Sequence, residues 1–281
     1  MSFISDFKGP SISLFGQAYS ADPATSISST VGTGSIDATL DSAVGQRFNL
    51  ADGRQVALVQ NGAVALVAGV LAQSPAEVTA FQKLAMTVPT ATPATAGTFQ
   101  VLVTNGATKL NVNQFAGGFL IVASGTGIGQ TLKIASHQAA AASGTSIVTL
   151  EDAIITTLDA TSKITLMQNQ SNGVIISPSS TATGAPVGIT LYPIAASTAP
   201  TYDGTSGALT AAGVAQYGFV VVRGFTSCLI DSTVTNVGYP LGVSKTTAGT
   251  LGVATLTTVP QVAVSAQTLT SANNGLVFIN L

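Results

Sequence analysis

The chain has 281 residues but only 9 Lys+Arg against 11 Asp+Glu, so it is 7% charged with a formal net charge of −2. An ordinary soluble domain is roughly 25% charged and uses Lys and Glu to stay soluble and to guard its sheet edges. A chain that omits them is expected to be covered by copies of itself or by partners, which points to a structural protein and away from a catalyst.

Residues 1–45 read as an extended arm. Phe3, Ile4, Phe7, Ile12, Leu14 and Phe15 cluster among Gly, Pro and Ser, and a stretch poor in large apolar groups follows. Such a segment cannot build its own core and is expected to order by lying on a neighbour. These six residues are the candidate interaction residues. Asp6 interrupts the opening apolar residues and no basic segment precedes them, so no secretion signal is expected.

Residues 46–176 read as a central β domain. Asn-Gly occurs at Asn61-Gly62, Asn105-Gly106, Asn172-Gly173 and Asn274-Gly275, and Asp-Gly at Asp52-Gly53 and Asp203-Gly204. Asn-Gly suits a type I′ turn because both residues tolerate positive φ. The flanks predict one hairpin from 56–60 and 63–67, and a second from 99–104 and 107–112. Strands are predicted at 118–123 and 130–135, around a glycine-rich connection, and at 146–150, 163–167 and 173–176. The apolar stretch 56–72 nears membrane-spanning length, but Gln60, Asn61 and Gly62 interrupt it, so no membrane partner is expected. Between these strands, 75–86 has Pro75 at a first helical position, Glu77 in the first turn, and Val78, Phe81, Leu84 and Ala85 at helical spacing.

Residues 177–281 read as a C-terminal β domain. A Pro/Ser/Thr linker is predicted at 177–188. Strands are predicted at 189–192, 217–222, 227–230, 250–255 and 275–281, where Thr, Val and Ile dominate. The expected fold class is therefore all-β: a central β-barrel or sandwich, a second C-terminal β domain and an N-terminal arm.

Groups that could carry chemistry are few. The basic residues fall singly along the chain and form no basic patch, so no nucleic-acid partner is expected. Cys228 is the only cysteine, which excludes an intrachain disulfide and reads as a buried small hydrophobe. His137 is the only histidine; in a loop of small residues it reads as exposed or capping. Glu151 and Asp152 are adjacent, so on a strand they point to opposite faces and cannot form a dyad; a strand-end turn is expected. Gly125, Gly127 and Gly129 lack the spacing and the following lysine of a phosphate loop and read as a tight hairpin. No catalytic residue, metal, cofactor or small-molecule substrate is expected.

Several stretches resemble segments of a known family, the head decoration (cement) proteins of tailed bacteriophages. They are Gly45-Gln-Arg-Phe-Asn-Leu-Ala-Asp-Gly-Arg54, Asn113-Gln-Phe-Ala-Gly-Gly-Phe-Leu-Ile-Val122 and Gly125-Thr-Gly-Ile-Gly-Gln-Thr-Leu-Lys-Ile-Ala-Ser-His137, followed by Leu150-Glu-Asp-Ala-Ile and Ser162-Lys-Ile-Thr-Leu166. The resemblance runs from Gly45 to Gly173. Ile128 stands where an acidic residue is common, and Leu132 where an aromatic is usual. The resemblance implies a loop or strand rather than a helix at 75–86. It also implies a structural virion protein on the capsid exterior, bound to the major capsid protein and self-associated as a homotrimer. The alternative from another class is a receptor- or glycan-binding module of a phage tail or cell-surface appendage.

Overall fold

The computed structural model describes residues 11–14, 17–20, 27–30, 44–50, 52–82, 86–92, 94–179, 183–254 and 261–281, the first three segments as backbone alone. Phe3, Ile4, Phe7 and Phe15 of the expected arm lie outside the described residues. Ile12 and Leu14 fall on the first strand.

The chain begins with β1 (Ser11–Leu14), β2 (Gln17–Ser20), β3 (Ile27–Thr30), β4 (Arg47–Asn49), β5 (Gln55–Asn61) and β6 (Leu71–Gln73). Then come β7 (Met86–Thr87), β8 (Gln100–Thr104), β9 (Phe119–Ser124), β10 (Thr131–His137), β11 (Thr145–Leu150) and β12 (Lys163–Met167). β13 (Asn172–Ile176), β14 (Pro186–Thr190), β15 (Thr201–Tyr202) and β16 (Leu209–Ala211) follow. The last are β17 (Val214–Leu229), β18 (Pro240–Val243), β19 (Leu251–Val253), β20 (Gln261–Ser265) and β21 (Asn274–Asn280). Among the described residues the helical content is one 3-10 turn at Thr79–Phe81. The fold is all-β.

Two compact units share this chain. One holds Met1–Ala76, Gln170–Ala199 and Gly213–Leu281; the other holds Glu77–Asn169 and Pro200–Ala212. The units are thus interleaved in sequence, and their boundaries differ from the sequential ones expected at 46–176 and 177–281. β5 and β6 belong with the C-terminal strands because they hydrogen-bond to β17 and β14.

In the second unit a closed barrel runs β10-β11-β8-β7-β12-β9. Its strands alternate as side chains with a period of two must. Val101 and Val103, Leu120 and Val122, Leu132 and Ile134, and Ile164 and Leu166 all point into one buried cluster. Phe81 and Phe115 join that cluster, with their rings edge to face and centroids 5.3 Å apart. Burying each such side chain stabilises by about 1.5–3 kcal/mol before ordering costs. Phe81 explains the fate of the helical spacing at 75–86: one turn suffices to bury it, and the chain then becomes extended at Gln82.

In the first unit β17, β14, β6, β13 and β5 pair in turn, and β5 pairs again with β17, so this sheet also closes on itself. Val56 and Leu58 face one buried cluster while Ala57 and Val59 face another. Burial on both faces is why 56–59 is uninterruptedly apolar without being a membrane span. β17 continues past the closed part to pair with β21, and β20, β18 and β19 extend the sheet. Within the expected arm, β3 pairs with β17 of its own chain. The expected linker at 177–188 instead enters β14 at Pro186.

Both predicted Asn-Gly hairpins fail for one physical reason. Asn61 and Asn105 are buried at 1% and 4% exposure. The Asn61 amide donates to the carbonyls of Val64 and Ala195, at 2.9 and 2.8 Å. The Asn105 amide donates to Thr108 and Ala141, at 2.8 and 2.9 Å. The side chain takes the place of a ladder and turns the chain out of the sheet. Downstream, Leu66 and Leu110 each make one isolated bridge, to Ile194 and Ala140. The Asp-Gly pairs do close hairpins, β4–β5 and β15–β16.

Candidate functional surface

His137 ends β10 and is buried at 3% exposure, so of the two expected roles, exposed or capping, it takes the capping one. Its Nε2 accepts the backbone N–H of Phe115 at 3.0 Å. Its Nδ1 lies 3.0 Å from the Gln138 carbonyl, so the neutral ring carries its proton on Nδ1. Burial pushes its pKa below the ordinary 6.5, against a smaller upward pull from the Gln138 carbonyl. The ring therefore caps a backbone group in the barrel unit.

Glu151 and Asp152 follow β11 in an exposed turn, as expected, and Glu151 pairs with Lys133 at 2.9 Å. Gly125, Gly127 and Gly129 have φ of 80°, 79° and 91° in the tight connection between β9 and β10. A Cβ on Gly125 would overlap the Thr161 carbonyl oxygen. Cys228 is fully buried, and burial pushes its thiol up to about 12, as suits a small core hydrophobe. Among the described residues no three His, Cys, Asp or Glu gather as metal ligands, and no helix is long and apolar enough to cross a membrane.

The three arginines of the chain, Arg47, Arg54 and Arg223, lie around Gln55 in the first unit's sheet, contrary to the scattered pattern of the sequence. Register does this. Across the strands, Asn49 of β4 stands opposite Gln55 of β5, Gln55 opposite Arg223 of β17, and Arg223 opposite Asn280 of β21. Residues directly opposite share a face, and Arg47 lies two residues from Asn49 on that same face. Arg47 Nη1 reaches the Leu281 carbonyl at 3.2 Å and Gln55 Oε1 at 3.5 Å. Arg54 lies against Gly224, where φ is 111° and a Cβ would sit 3.0 Å from the Arg54 Cγ. Its Nε donates to Asp52 at 2.6 Å. That pairing, led by a hydrogen bond from the Arg54 backbone, holds the Asp52 carboxyl below 3.8. Arg47 and Arg223 have no carboxylate side chain as partner among the described residues.

Beside this polar row lies an apolar one. Phe225 of β17 stands opposite Phe278 of β21, with ring centroids 5.2 Å apart at 72°. Phe278 in turn stands opposite Val264 of β20. Phe225 is 55% exposed, and Leu276 on the same face is 41% exposed. Guanidinium groups beside exposed aromatic and aliphatic side chains make a face able to hold an anionic, partly apolar segment. Its sequence signal was the alternation of polar and apolar residues in 223–229 and 274–280, but only the strand pairing brings the two runs together.

No family model, curated protein or solved structure matches this chain.

Proposed function

We propose that this chain is a structural virion protein that binds the exterior of a tailed-phage capsid and bridges neighbouring capsomers. The observation that carries the reading is a low-charge all-β body that nonetheless leaves Arg47, Arg223 and Phe225 exposed on one sheet face among the described residues. The resemblance of 45–173 to head decoration proteins supports it. The partners are the major capsid protein and other copies of the chain, in a homotrimer suited to the threefold positions of such shells. The mechanism is mass action: a ligand that binds only the assembled shell stabilises it, by about 2.7 kcal/mol per site at a hundredfold excess over Kd.

The test is co-sedimentation of the purified chain with heads assembled without it. The chain should pellet with the heads, saturate, and raise the temperature at which they rupture. A chain that stays in the supernatant at every concentration overturns the proposal.

A further inference from the structure

We infer that the β4–β5–β17–β21 face is a docking surface for an acidic, partly apolar segment of a partner protein. The inference deepens the capsid reading and rests on it for the partner's origin, but the chemistry of the face is testable without capsids. Charge complementarity selects the occupant. The chain as a whole is net negative, yet all its arginines lie around Gln55, and two of the three face solvent on one side of the sheet without a carboxylate side chain as partner among the described residues. Arg223 and Arg47 flank Gln55 from the two strands paired to β5 and leave exposed positive charge on this side of the sheet, which favours an anionic partner. Arg rather than Lys at these positions favours planar, bidentate partners such as carboxylates. Asn49 and Asn280 stand at the two ends of the row through Gln55 and Arg223 and offer amide groups to an extended backbone, while Gln55 joins Arg47 to Asn49.

Phe225, Phe278 and Leu276 continue the same face with apolar contact area. Their rings pack edge to face against one another, so they do not present two parallel platforms on which bases would stack. Two exposed arginines also neutralise too few phosphates to hold a nucleic acid at moderate salt. An acidic stretch punctuated by large apolar side chains satisfies both rows at once.

The test uses the full chain and a fluorescein-labelled peptide of repeating Glu-Glu-Leu triplets, read by fluorescence anisotropy at low and moderate salt. The wild-type chain should bind this peptide and not its Lys-Lys-Leu counterpart. The double substitution Arg47→Gln with Arg223→Gln should weaken binding at least about fivefold and flatten its salt dependence. Phe225→Ser should weaken binding but leave the salt dependence as it is, while Lys245→Gln, outside the face, should change neither. Circular dichroism and melting of each variant establish that it is folded. Equal binding by wild type and the double variant overturns the inference, as does tighter binding of labelled polyuridylate than of the peptide. Self-association that disappears in the double variant, with no peptide binding, assigns the face to another copy and also overturns it. Normal peptide binding with no pelleting on heads leaves the face standing and refutes the capsid reading instead.

Discussion

Lowering the pH should destabilise this protein through one side chain. His137 is the only histidine, it is buried at 3% exposure, and its Nε2 holds the Phe115 N–H. Protonating Nε2 would set two donors against each other inside the barrel unit. Burial accordingly lowers its folded pKa below 6.5. The sign follows: below that value the unfolded chain binds a proton that the folded chain does not. The stability is fully present above about pH 6.5 and is lost as pH falls towards and through the lowered folded value. If the folded ring stayed neutral throughout, the loss between about pH 7.5 and pH 5 would approach 2 kcal/mol, which is its ceiling. The carboxylates with shifted values, Asp52, Asp159, Asp203 and Asp231, all move down from 3.8 and so lie outside this window. The assay is urea unfolding of the full chain at both pH values, compared with His137→Gln. Wild type should lose stability at the lower pH and the variant should lose much less. Identical pH dependence in the two proteins would refute the buried neutral ring. In addition, His137→Ala should cost about 2–4 kcal/mol at neutral pH, from the orphaned Phe115 N–H and the cavity.

Gly125→Ala should lower stability by more than about 3 kcal/mol, because positive φ combines with the overlap at Thr161. Gly129→Ala meets nothing within 4 Å and should cost only the strain, about 1–2 kcal/mol; equal melting temperatures for the two variants would contradict the loop geometry. Asn61→Ala should cost about 2–4 kcal/mol in chemical denaturation, since the carbonyls of Val64 and Ala195 lose their buried donor. Cys228 should resist thiol reagents at about pH 8 in the native protein and react at once in denaturant; rapid native labelling would contradict its burial.

The all-β class was legible in the sequence because period-two alternation and Thr/Val/Ile enrichment are local properties. The predicted strand at 163–167 coincides with β12, and 275–281 differs from β21 by one residue at each end. The Asn-Gly hairpins were misread because the same dipeptide can serve as a turn or, when the asparagine is buried, as a side-chain substitute for a ladder. Only the carbonyls of Ala195 and Ala141, distant in sequence, decide which. The small sequence neighbours of His137 leave an exposed and a capping role equally open, because the group it caps is the N–H of Phe115, 22 positions away. The arginine face was invisible for a similar reason: Arg47 and Arg223 come to flank Gln55 through the pairing of β4 and β17 with opposite edges of β5.

The most direct measurement is a cryo-EM reconstruction of tailed-phage particles incubated with this chain. The account predicts β-rich density for the chain on the head exterior, with Arg47, Arg223 and Phe225 turned towards an acidic segment of the shell protein. Density for the chain on the tail, or on the head with that sheet face open to solvent, would contradict it.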